Sequence, residues 1–162
     1  MTNWYDIAQV CLNGHTINQT VQSKPEKNQK FCDKCGSQTI NECTYCGIPI
    51  RGFYHIPGVG YSYIYIPPKF CHNCGKSYPW TESKLEAAQE LADEAENLKP
   101  EERELLKQSL DDLVRDTAKT QVAALRFKKL VGKAGNVVAG GLRDILVDIA
   151  SETAKKILFP PT

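Results

Sequence analysis

The rhythm of apolar and polar positions changes once along this chain, close to Trp80. Before it, apolar runs are short and bounded by Gly, Pro and Asn. After it, they recur at three- and four-residue spacing, the period of a helix face. In the first part, Ile48-Pro-Ile-Arg-Gly-Phe-Tyr-His55 and Tyr61-Ser-Tyr-Ile-Tyr-Ile66 alternate or cluster β-branched and aromatic residues around the turn Pro57-Gly-Val-Gly60. That pattern predicts a hairpin. Its aromatics, Phe53, Tyr54, Tyr61, Tyr63 and Tyr65, exceed what a two-stranded sheet buries by itself. One face is expected to pack on the C-terminal helices; the alternative is an exposed aromatic platform for a peptide or a single-stranded nucleic acid.

Past Trp80 the pattern predicts helices. Ser83-Lys-Leu-Glu86 has the spacing of a capping box, and Lys84 to Leu98 is rich in Ala, Glu and Leu. Pro100, followed by Glu101, Glu102 and Glu104, has the composition of a helix start. Leu105, Leu106, Leu110, Leu113 and Val114 then make one apolar stripe, which is ordinarily core. A third helix is expected over about Thr120 to Lys133, with Leu125, Leu130 and Val131 apolar and Arg126, Lys128, Lys129 and Lys133 basic. Gly132, Gly135, Gly140 and Gly141 interrupt it. The last helix is expected from Gly141 to Phe159, with Leu142, Ile145, Leu146, Ile149, Thr153 and Ile157 on one face and Pro160-Pro161 as its stop.

Cysteine usage divides the chain at the same place. All seven cysteines lie between positions 11 and 74, so the two parts are stabilised by different means. Cys32-Asp-Lys-Cys35-Gly36, Cys43-Thr-Tyr-Cys46-Gly47 and Cys71-His-Asn-Cys74-Gly75 share one form. Two thiolates two residues apart grip one tetrahedral ion in a tight turn, and the glycine supplies the positive φ that the turn needs. Cys11-Leu-Asn-Gly14-His15 is a fourth such turn, with a ring nitrogen as its second ligand. Eight ligands suffice for two structural Zn²⁺ sites. Taken sequentially, one is Cys11, His15, Cys32 and Cys35, with 16 residues between its halves, and the other Cys43, Cys46, Cys71 and Cys74, with 24. Gaps of this length suit the hairpins of zinc ribbons. The rival is cross-bracing, first pair with third and second with fourth, which usually has two or three residues between its middle pairs; here there are seven, Gly36 to Glu42.

Redox exchange uses a single Cys-x-x-Cys at a helix N-terminus, which tandem knuckles do not resemble. With eight better-spaced ligands, His55 and His72 read as surface or packing residues. Four protein ligands per ion leave no position for water, so a catalytic zinc is not expected. No phosphate-binding glycine loop and no nucleophile with a base is visible, and an enzyme is not expected.

Charge refines the picture. Lys and Arg against Asp and Glu number 7 and 4 over residues 1–80, 5 and 12 over 81–118, and 8 and 3 over 119–162. The acidic middle and basic end either attract each other or leave the basic end for an anionic partner. Loaded Cys₄ and Cys₃His sites carry about −2 and −1, which cancels the +3 of residues 1–80 and weakens the case for a nucleic-acid-binding ribbon. A local patch at Lys24, Lys27, Lys30 and Lys34 remains, in a stretch that reads most simply as a solvated loop. The longest uncharged stretch of the C-terminal half, Ala134 to Leu142, is far short of the roughly 20 residues a spanning helix needs. Met-Thr-Asn-Trp-Tyr-Asp lacks the regions of a signal peptide, so a reducing cytoplasm is the expected location, where paired cysteines are metal ligands first.

Ala8-Gln-Val-Cys-Leu-Asn-Gly-His15, Phe31-Cys-Asp-Lys-Cys-Gly36, Ile50-Arg-Gly-Phe-Tyr-His55, Phe70-Cys-His-Asn-Cys-Gly-Lys76 with Pro79-Trp80-Thr81, and Ile145-Leu-Val-Asp-Ile-Ala-Ser-Glu-Thr-Ala-Lys-Lys156 together resemble a bacterial double-zinc-ribbon family, a domain of unknown function with a helical C-terminal region. The resemblance implies zinc binding at the same eight positions and no assigned reaction. The expected fold is therefore α+β: a double zinc ribbon over 1–80, an acidic helix or linker over 81–99, and a helical region with an amphipathic C-terminal helix over 100–162. The expected function is a non-enzymatic zinc-binding adaptor or assembly protein whose partner is another protein or a second copy, with no small-molecule substrate. A nucleic-acid-binding regulator and a conditional, peripheral membrane effector acting through the C-terminal helix are the alternatives. For the latter, Asp144, Asp148 and Glu152 would repel an anionic bilayer.

Overall fold

In the computed structural model, which describes residues 1–162, strands come first and helices after. The result is an α+β layout of small antiparallel sheets followed by five helices. Two compact units divide the chain, Met1–Glu82 and Ser83–Thr162.

In the first unit, β1 (Trp4–Ile7) and β5 (Arg51–His55) form a two-stranded antiparallel sheet. In the second sheet β2 (Gln9–Cys11) lies between β3 (Thr16–Asn18) and β4 (Thr39–Ile40). The hairpin expected between Ile48–His55 and Tyr61–Ile66 does not form as a ladder. β5 pairs instead with β1, with Trp4 opposite His55 and Tyr5 opposite Tyr54. Side chains explain the choice. The Trp4 and His55 rings stack at 4.3 Å and those of Tyr5 and Tyr54 approach to 4.5 Å, the cross-strand aromatic pairing that stabilises antiparallel sheets. The 61–66 segment attaches to β5 through its tyrosine hydroxyls. Tyr61 donates to the Tyr54 carbonyl, Tyr63 Oη accepts from the Tyr54 N–H at 3.1 Å, and Tyr65 donates to the Arg51 carbonyl at 2.6 Å.

The core of this unit gathers Ala8, Val10, Ile50, Tyr78 and Trp80 with the thiols of Cys43 and Cys71. Tyr78 and Trp80 stack at 4.7 Å; the Trp80 Nε1–H donates to the Pro68 carbonyl, while the Tyr78 hydroxyl is buried without a partner. Buried Gly52 allows the closest backbone approach. A Cβ there would stand 2.3 Å from the Gln19 carbonyl oxygen and 2.8 Å from the Ile7 carbonyl carbon.

Five helices follow: α1 (Pro79–Asp93), α2 (Pro100–Val114), α3 (Thr120–Val131), α4 (Asn136–Ile149) and α5 (Glu152–Leu158). Pro79 starts α1, so the Ser83 capping-box spacing falls inside the helix and not at its entry. In α2, Leu106, Leu110, Leu113 and Val114 are buried as the stripe predicts, and Glu102 accepts from the Lys99 N–H at 3.1 Å. On α3 the buried side is Ala123, Ala124, Phe127, Leu130 and Val131, while Leu125 points to solvent. The single C-terminal helix expected from Gly141 is two. α4 starts earlier and carries Gly140 and Gly141 within it, then stops at Ile149. Ser151 opens α5 by accepting from the Ala154 N–H at 3.2 Å, and its own N–H donates to the Leu113 carbonyl at 2.8 Å. A serine that caps a new helix turns the axis while the apolar spacing runs on unbroken. Gly141 leaves room on α4 for the Leu91 side chain, whose Cδ2 a Cβ there would meet at 2.5 Å.

Acidic and basic segments are tied together by Lys84–Asp148 at 2.9 Å and Lys133–Glu102 at 2.8 Å. These are partly exposed pairs, worth little each. No helix is long and apolar enough to cross a membrane.

Candidate metal centres

Each of the four cysteine turns is built alike. The N–H of the first cysteine donates to a carbonyl four or five residues on: Cys11 to His15, Cys32 to Ser37, Cys43 to Ile48 and Cys71 to Lys76, at 2.8 to 3.0 Å. The turn glycine then donates back to the first cysteine's carbonyl at 2.8 to 2.9 Å, with φ between 72° and 89° for Gly14, Gly36, Gly47 and Gly75. At Gly14 a side chain is doubly excluded, since a Cβ would also lie 3.0 Å from Trp80 Cβ.

These turns bring the eight side chains into two groups, Cys11, His15, Cys32 and Cys35, and Cys43, Cys46, Cys71 and Cys74. The donor atoms of each group lie within 4.8 Å of one another. The grouping is sequential and not cross-braced. In the first, His15 Nδ1 stands 3.5 Å from Cys11 Sγ and 3.6 Å from Cys32 Sγ, and Cys11 and Cys35 sulfurs are 3.7 Å apart. In the second, the Cys43–Cys74 and Cys46–Cys71 sulfurs are each 3.7 Å apart. A tetrahedral ion with metal–sulfur and metal–nitrogen bonds near 2.3 and 2.05 Å spaces its donors roughly 3.8 Å for S–S and roughly 3.55 Å for S–N. A disulfide would need about 2.05 Å. These spacings fit a tetrahedral metal site and not a cystine.

Within each group, one asparagine reaches across. Asn13 Nδ2 donates to Cys35 Sγ at 3.4 Å and to Ser37 Oγ at 2.8 Å; Asn73 Nδ2 donates to Cys46 Sγ at 3.6 Å. Both stand two residues after the first cysteine of their turn, and both serve the exposed second cysteine of the partner turn. Sequence reasoning missed them, although a shared Cys-x-Asn in the first and fourth turns, against Lys34 and Tyr45 in the others, was the available sign. Amide donors favour the thiolate. The Asn13 amide and the Ser37 backbone hold the Cys35 thiol down to about 5, and the Ile48 backbone and Asn73 lower that of Cys46. At Cys74 the Lys76 backbone pulls the same way, but desolvation and the three neighbouring sulfurs outweigh it and push it up to about 11. Four sulfurs this close cannot all be anionic without a cation among them.

The two other histidines lie outside both groups. His72 is exposed. His55 Nε2 meets Asp6 Oδ2 at 3.2 Å, and buried Asp6 accepts further bonds from the N–H groups of Ile7, Gln22 and Ser23 and from the Ser23 hydroxyl. Burial raises the Asp6 carboxyl, but the donors, Ser23 first, outweigh it and set it below its ordinary value.

No curated protein and no solved structure matches the chain. The model of a family described as an uncharacterized protein conserved in bacteria, DUF2321, matches residues 4–158, nearly the whole length, and the chain belongs to that family.

Proposed function

We propose that this member of the DUF2321 family is a non-enzymatic adaptor or assembly protein, in which two structural Zn²⁺ ions hold the first unit rigid and the helical unit engages a protein partner or a second copy. The observation that carries it is the complete four-donor set at each centre. Cys₃His and Cys₄ sets are soft donors that favour Zn²⁺ over the hard cations Mg²⁺ and Ca²⁺. Zinc held there supplies charge neutralisation and a cross-link, with no coordination position left for water or substrate. The residues do the rest. The knuckle turns aim the sulfurs, Asn13 and Asn73 fix the exposed thiolates, and Cys43 and Cys71 join the second centre to the packed core.

Support for a binding role of the helical unit comes from apolar side chains that its own core does not use. Val122 and Leu125, one turn apart on α3, are 48% and 65% exposed, beside the exposed Arg126 and Lys129. Two measurements test the reading. Metal analysis of the purified chain is expected to return two zinc ions, and one in Cys11→Ser. Sedimentation of the zinc-loaded chain is expected to show concentration-dependent association that Val122→Glu with Leu125→Glu abolishes. A strictly monomeric chain that also acquires no specific crosslink at residue 125 in bacterial cells would overturn the adaptor role.

A further inference from the structure

A cavity of about 530 Å³ opens in the first unit between two walls of different chemistry, a size within the range of ligand pockets. One wall is β3 and the turn after it, carrying Gln19, Lys24 and Lys27; the other is β5 and the tyrosine segment, carrying Phe53, His55 and Tyr63. None of the eight residues of the two cysteine groups lines it, although Thr16 of its lining follows His15.

The basic wall is held in place. Buried Asn18 donates to the Lys24 carbonyl at 2.9 Å and to Asn28 Oδ1 at 2.8 Å, while its own oxygen accepts from the Thr20 N–H and hydroxyl. The stretch that reads in sequence as a solvated loop is therefore pinned, and its lysines are set out in advance of any ligand. No ion pair engages Lys24 or Lys27, in contrast to Lys84, Lys107 and Lys133 of the helical unit. No carboxylate lines the cavity. Asp6, the acid behind His55 and Ser23, is consumed by the hydrogen bonds described above, and Glu26 of the intervening turn is exposed and outside the lining. The facing wall is aromatic, with Phe53 and Tyr63 stacked at 5.1 Å and 13° from parallel. On the β3 wall, Gln19 keeps a buried side-chain oxygen with no partner in the protein.

We propose that this cavity binds a nucleotide, its base against the Phe53–Tyr63 wall and its phosphate at Lys24 and Lys27. A parallel aromatic surface accepts the π-face of any base. Two unpaired ammonium groups on a fixed turn suit a phosphate. Thr16, Thr20 and Gln19 offer hydroxyl and amide groups for sugar or base edges. The same chemistry is presented by a free nucleotide and by one unit of a single strand. This site is independent of the adaptor reading.

The zinc-loaded full chain is titrated at low salt with adenosine 5′-monophosphate, adenosine, inorganic phosphate and a pentamer of adenylate. The monophosphate is expected to bind at least tenfold tighter than adenosine or phosphate. Lys24→Ala with Lys27→Ala is expected to weaken it at least tenfold at unchanged zinc content. Tyr63→Leu is expected to weaken monophosphate and adenosine together and leave phosphate alone. A pentamer that binds tighter than the monophosphate supports the site and names a single strand as the source; equal affinity supports it and names the free nucleotide. Absence of binding by both at millimolar concentration, a monophosphate no tighter than phosphate, or full affinity in the double lysine variant would each overturn the proposal.

Discussion

Asn13 and Asn73 hold corresponding places in their turns, and each donates to a sulfur on another turn. Partners of this kind tune metal ligands as strongly as the ligands' own neighbours do. Asn13→Ala and Asn73→Ala are expected to lower zinc affinity by about 10- to 100-fold, read by competition with a chelator, with each variant affecting one centre. The gathering of the eight side chains into two groups was legible because each turn is a local device, complete within five or six residues. The asparagines were not, because their sulfurs lie on a different turn and only the fold brings the two together. Asp6 is the other residue whose role needed the structure. Its carboxyl is set below its ordinary value in the folded chain, so its contribution is fully present above the unfolded carboxylate pKa, about 3.9, and is lost as pH falls through the lower folded value. Asp6→Asn is expected to cost about 2 kcal/mol near neutral pH. The gap to the parent in urea unfolding should close below about pH 4.

Helices and strands differed in how far the sequence revealed them. The α2 stripe is a property of one segment, so Leu106, Leu110 and Leu113 fall where their spacing puts them. The partner of β5 is a property of two distant segments, and tyrosine-rich residues 61–66 were the nearer candidate. β1 takes the edge because its ring pairs fit, while the tyrosines bond to β5 with hydroxyls and leave its ladder to β1. The C-terminal break was hidden for another reason, since an apolar repeat does not record a cap. Ser151→Ala is expected to cost about 1 kcal/mol through loss of that cap, seen as a lower urea midpoint with an unchanged slope. Gly52→Ala meets backbone atoms of Gln19 and Ile7 that cannot move aside singly. A loss of about 1–3 kcal/mol or more is expected from such overpacking, confined in hydrogen exchange to the first unit.

At the scale of the molecule, two units with separate cores answer to different stresses. The helical unit rests on packed leucines and alanines. The first unit has a small apolar core that includes two of the cysteines, Cys43 and Cys71, among Ile50, Tyr78 and Trp80. A chelator is expected to abolish the near-ultraviolet signal of Trp4 and Trp80 and to leave most helical far-ultraviolet signal, with recovery on adding zinc. The charge asymmetry of the chain was legible, and Lys133–Glu102 joins a base of the basic segment to an acid of the acidic one, while Lys84–Asp148 joins them with the opposite polarity. Both walls of the cavity were legible in sequence, the patch with Lys24 and Lys27 and the aromatic run with Phe53 and Tyr63, but their juxtaposition was not, because the two segments share no common pattern. The place of Cys43 and Cys71 within the packed core reaches beyond structure into supply. A chain whose core closes only around metal is protected from proteases in proportion to the free zinc available, because binding to the folded state alone holds the unfolded fraction down. On the proposed zinc-binding reading, the protein's half-life, and with it its abundance, is expected to fall in a zinc-starved cell.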